Sequence, residues 1–155
     1  MKRWERWTFN TLSLAVAATG FAYLWMKYGL TQDDPFAVVN HPWQTTMLDL
    51  HVIASPAFIL VFGIILNSHI MKKLGAPRLP NRRSGLVSLG TFAAMVLSGY
   101  LLQVLTNERW LQALVVLHVA SGAVFSLVYA AHLVVAARLA RTPRRRQDAV
   151  IPEVA

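Results

Sequence analysis

Four long apolar stretches, joined by gaps too short for a folded unit, leave this chain little choice of architecture. They cover about residues 10–30, 46–71, 85–106 and 110–139. A helix of about 20 residues, rising 1.5 Å per residue, crosses a hydrocarbon core of about 30 Å, and each stretch is that long. In lipid a backbone must satisfy its own polar groups, which a helix does alone. With 55 % hydrophobic and only 14 % charged residues, no stretch of the 155 has the composition of a separate soluble domain. The predicted fold is all-α, one integral membrane four-helix bundle ending in a polar, basic tail over 140–155.

Charge predicts its orientation. Lys2, Arg3 and Arg6 precede the first stretch, and Lys72, Lys73, Arg78, Arg82 and Arg83 lie between the second and third. Arg138, Arg141, Arg144, Arg145 and Arg146 end or follow the fourth. Thirteen of the fifteen basic residues thus share one side, leaving Lys27 and Arg109 on the other. By the positive-inside rule both termini are cytoplasmic. The net charge of +8 flanks membrane spans instead of forming a folded basic module, so anionic lipid is the expected partner and nucleic acid is not. Trp4 and Trp7 at one end, with Tyr23, Trp25, Tyr28, Trp43 and Trp110 at the other, suit interfacial belts. The basic start and apolar run resemble a signal peptide, but cleavage would leave only three spans, so the first stretch is read as retained.

The chain has no cysteine. Disulfides, thiolate-held iron–sulfur clusters and haem attached through Cys-x-x-Cys-His are therefore excluded. A redox group would have to be held by His, Met, carboxylate or tyrosinate. Four histidines fit that need. His51 and His69 are eighteen residues apart in the second stretch, five whole turns and so one helix face. His118 and His132 are fourteen apart in the fourth, about 40° short of four turns, again one face. With both termini inside, these two helices run parallel, which pairs His51 with His118 toward the outside and His69 with His132 toward the cytoplasm. Separations of roughly 27 Å and 21 Å along the two helices leave a mismatch of about 6 Å for tilt and side-chain rotamers to absorb.

An imidazole within a bilayer needs a hydrogen bond, a proton role or a metal to offset its desolvation. A proton relay would interleave carboxylates, and the membrane centre has none. A zinc or copper site would gather three or four ligands at one level. Two levels of two imidazoles match bis-histidine b-type haem, two haems being expected and one the alternative. Ser55, Phe58, Phe62 and Gly63, and on the fourth stretch Gly122, Phe125 and Tyr129, lie between the paired positions. Small residues there would admit a macrocycle and aromatics would fill the space between two sites; both also suit plain helix packing. Arg82 and Arg83, with Lys72 and Lys73, are candidate propionate partners. His41, ahead of Pro42, reads as interfacial, and Asp49 as a solvated helix-start carboxylate. Ser98, Gly99, Tyr100 and Gln103 are candidates to face a quinone or a propionate. The first and third stretches, without histidine, read as flanking helices.

The four-span layout, the paired histidines and the run Ser98-Gly99-Tyr100-Leu101-Leu102-Gln103 resemble the membrane-integral dihaem cytochromes b of bacteria. In particular they resemble small four-helix members related to the cytochrome b subunits of hydrogenases and formate dehydrogenases. The likeness spans roughly residues 10–138. It implies a multi-pass protein of the bacterial inner membrane that passes electrons between the quinone pool and a redox partner outside the cytoplasm. It implies an electron-transfer subunit more than a complete enzyme. The rival readings are a self-contained quinone-linked oxidoreductase at the outer face, and a structural or assembly subunit or metal transporter without haem.

Overall fold

A computed structural model describes residues 2–31, 34, 36–67, 71 and 82–141, with the backbone alone for 82–85, 136 and 139–141. The chain forms four long helices: α1 Arg3–Tyr28, α2 Gln44–Ile65, α3 Arg82–Val104 and α4 Glu108–Arg141. All four contain a segment long and apolar enough to cross a membrane. α1 starts earlier than the apolar pattern alone predicts, taking in the Arg3–Trp7 turn. There the Lys2 N–H donates to the Glu5 carboxylate at 2.7 Å, satisfying one free amide of the helix start.

Local chemistry explains the other ends. α1 stops at Gly29, whose N–H donates to the Trp25 carbonyl at 2.8 Å. The Asn40 side-chain amide then donates to the Lys27 carbonyl at 2.9 Å, tying the connection back onto the helix. Gln44, buried at the start of α2, accepts from the Asn40 N–H at 3.0 Å. α2 runs through Pro56, which has no N–H to offer the preceding turn. Asn107 caps α4, its side-chain oxygen accepting from the Trp110 N–H at 3.3 Å.

The helices pair as two hairpins. Backbones approach closely between α1 and α2 and between α3 and α4, while across the hairpins few Cα atoms come within 8 Å. Side chains bridge that wider gap. Phe9, Phe58, Phe62, Phe92 and Phe125 form one buried cluster drawn from all four helices. Phe62 and Phe92 stack at 3.5 Å and 10°, while Phe58 meets Phe125 at 6.1 Å and 70°. Tyr129 lies edge-on to Phe9 at 5.1 Å, and its hydroxyl donates to the Asn10 side-chain oxygen, joining α4 to α1.

Around this thin core the surface is apolar. Leu14, Ile53, Leu60, Leu97, Val116 and Leu127 are all well exposed and spread over the four helices. A water-soluble bundle turns such residues inward; an outward apolar shell on every helix is the pattern suited to lipid.

Candidate functional site

His51 on α2 and His118 on α4 come together across the hairpins. Their ring centres are 6.0 Å apart and their planes cross at 88°. Phe58 and Phe125 repeat the contact one heptad on, so α2 and α4 run parallel and in register. The two rings sit close to one end of the bundle, seven residues into α2 and ten into α4. At 1.5 Å per residue that is roughly 10–15 Å from the helix starts.

Each ring is held by the helix it pairs with in its own hairpin. His51 Nδ1 donates to the Val16 carbonyl of α1 at 2.9 Å, and His118 Nδ1 donates to the Met95 carbonyl of α3 at 2.9 Å. A carbonyl can only accept, so Nδ1 carries a proton in both rings, and in the neutral imidazole Nε2 is then the nitrogen with the lone pair. Four residues beyond each carbonyl stands a glycine. A Cβ at Gly20 would lie 2.8 Å from His51 Cε1, and one at Gly99 would lie 2.8 Å from His118 Cε1. Only a residue without a side chain lets the rings lie this close to the neighbouring backbone.

A hydroxyl precedes each glycine. Thr19 Oγ1 donates to the Ala15 carbonyl at 2.8 Å with a longer contact to Val16, and Ser98 Oγ to Ala94 at 2.7 Å with a longer contact to Met95. Hydroxyl and imidazole thus converge on the same carbonyl in each hairpin. The match is incomplete in one respect. Ser98, 1 % exposed, also stands 3.3 Å from His118 Nδ1.

The other expected site residues do not join this pair among the described residues. His132 is exposed on α4, one face-repeat below His118. His69, Lys72 and Lys73 lie outside the described residues, as do the side chains of Arg82 and Arg83, whose backbones begin α3. His41 accepts from the Trp43 N–H at 3.1 Å as part of the turn before α2, and Asp49 is exposed. Gly63 lines an open groove with Ile59, Leu60, Ile64 and Asn67 instead of facing a histidine, and a Cβ at Gly122 would touch Met95. Tyr100 and Gln103 are exposed, while Ser98 and Gly99 turn to His118. α1 and α3 are thus more than flanking helices, because they supply the carbonyls and glycines that fix the rings.

A sequence signal for this second set exists. Ala15-Val16-Ala17-Ala18-Thr19-Gly20-Phe21 and Ala94-Met95-Val96-Leu97-Ser98-Gly99-Tyr100 share alanine, hydroxyl, glycine and aromatic at the same four positions. Among the described residues no three His, Asp or Glu side chains converge, so the donor set here is two imidazoles. No protein-family model, no curated protein and no solved structure matches the chain.

Proposed function

We propose that this chain is a small multi-pass membrane cytochrome in which His51 and His118 hold a b-type haem. One observation carries the reading. Two imidazoles on different hairpins, both with Nδ1 engaged by backbone, have their ring centres 6.0 Å apart. Two imidazoles at that separation could share one metal ion, each through a metal–nitrogen bond of about 2 Å. The hairpins' backbones stand further from each other than the two helices within each hairpin do, which suits a flat group inserted between them beside the phenylalanine cluster. Bound there, haem would supply one-electron redox chemistry.

The chain's own residues then have defined work. Val16 and Met95 fix the tautomer and the orientation of both rings. The phenylalanines exclude water below the pair. With the basic residues inside, the termini are cytoplasmic and the pair lies in the outer half of the membrane. His69 and His132 are assigned to a second haem nearer the cytoplasm, with Arg82 and Arg83 as propionate partners. The function is electron transfer between quinone and a partner outside the cytoplasm, in a bacterial inner membrane.

The test is optical. Full-length protein purified in detergent after haem-supplemented expression is expected to show a Soret band and, on reduction, the sharp visible bands of six-coordinate b-type haem. Absence of a Soret band under those conditions contradicts the reading and leaves His51 and His118 as helix-bridging residues.

A further inference from the structure

Resting on the haem reading, we propose that Thr19-Gly20 and Ser98-Gly99 are the positioning elements that set the two axial imidazoles perpendicular, and that Ser98 makes the two ligands unequal. The rings cross at 88°. That angle is not imposed by α2 and α4, which run parallel and in register. It follows from what each ring touches on its own hairpin partner. Each Cε1 lies only 2.8 Å from where a Cβ of the glycine would be, and each Nδ1 reaches the carbonyl one turn earlier. A ring pinned at both its Nδ1 and its Cε1 edge has no freedom to rotate about χ2. Adding one methyl at 2.8 Å forces it to turn or withdraw, because the opposing atoms belong to the rigid imidazole ring itself.

The inequality comes from Ser98. Its hydroxyl proton goes to Ala94, so an oxygen lone pair is free to accept from His118 Nδ1 at 3.3 Å as a second, longer partner beside Met95. His51 has Val16 alone; Thr19 sits at the matching place but turns its hydroxyl to Ala15 and Val16. An imidazole whose N–H is shared between two acceptors is the stronger donor to iron and favours the ferric state. His118 is therefore the more strongly donating ligand.

Perpendicular imidazoles give low-spin ferric haem a highly anisotropic electron paramagnetic resonance signal, whereas near-parallel ones give an ordinary rhombic spectrum. The unmodified protein is expected to show the anisotropic signal. Gly20→Ala and Gly99→Ala are each expected to replace it with a rhombic one or to lose the haem of this pair, while Gly63→Ala, whose added Cβ meets nothing within 4 Å, keeps both haem and signal. Ser98→Ala is expected to keep its haem content and shift the midpoint potential upward, and Thr91→Ala, whose hydroxyl serves only the Val87 and Ser88 carbonyls of its own helix, to leave the potential unchanged. Gly20→Ala and Gly99→Ala proteins with full haem and an unaltered anisotropic signal would overturn the proposal, as would equal potentials for Ser98→Ala and the unmodified chain. Should the glycine variants fail to fold, the Ser98 and Thr91 pair decides it. An unmodified protein without haem would instead remove the underlying haem reading.

Discussion

At the level of single residues, His51 and His118 differ from ordinary buried histidines in how their two nitrogens are used. A helix-bridging imidazole spends its N–H on one partner and commonly finds a donor for the other nitrogen. Here both N–H groups go to backbone carbonyls, and both rings meet one another across the hairpins. His132 lies fourteen residues further along α4, exposed and on nearly the same face. Its assigned role predicts that His132→Ala lowers haem content by one equivalent while the perpendicular-ligand signal of the outer pair persists. Retention of both haems, measured as pyridine haemochrome, would refute the inner assignment. The histidines were legible in the sequence because an imidazole in an apolar stretch needs explanation. Val16 and Met95 were not, because their contribution is a backbone carbonyl that any residue type carries. Gly20 hid among the small residues common in membrane helices, and Gly99 was visible but read for a quinone or a propionate, not for its contact with His118.

Among helices, the phenylalanine cluster is the element that joins the hairpins. Lipid offers little hydrophobic drive between helices, so close ring packing has to supply the association. Phe62, stacked on Phe92 at 3.5 Å and in contact with Phe9 and Phe125, is the centre of that packing. Phe62→Ala is expected to cost about 3 kcal/mol of stability, read as a lower midpoint in detergent-titration unfolding. A change below about 0.5 kcal/mol would show that the hairpins are held by something other than this cluster. Phe58, Phe62 and Phe125 were foreseen as fillers between histidine levels, since their spacing follows the histidine face. Phe9 and Phe92 were not, because nothing on α1 or α3 marked which face turned inward until Thr19-Gly20 and Ser98-Gly99 were matched.

For the whole molecule, the four spans were legible because length and apolarity alone set them, and the helices found match those limits except at the start of α1, while the expected end of the second span reaches into residues 68–70, outside the described ones. The relation between hairpins was less legible. Leu50-His51-Val52 and Leu117-His118-Val119 hint at a repeat, yet its stronger half lies in the helices that carry no histidine. Together they describe two similar hairpins, each delivering one imidazole held by its partner helix. Orientation is the remaining large-scale expectation. Reporter fusions after Arg141 and within 72–81 are expected to be active only as cytoplasmic reporters, and a fusion in the 36–43 connection only outside. An externally active fusion after Arg141 would reverse the bundle and place the His51–His118 pair toward the cytoplasm.

The most direct measurement of the central claim is haem per chain in the unmodified protein beside His51→Ala and His118→Ala, all purified alike from haem-supplemented cells. Loss of the same single haem equivalent, together with the anisotropic ferric signal, from both variants is the predicted result. Unchanged haem content in either one would contradict the claim that these two histidines together hold the iron.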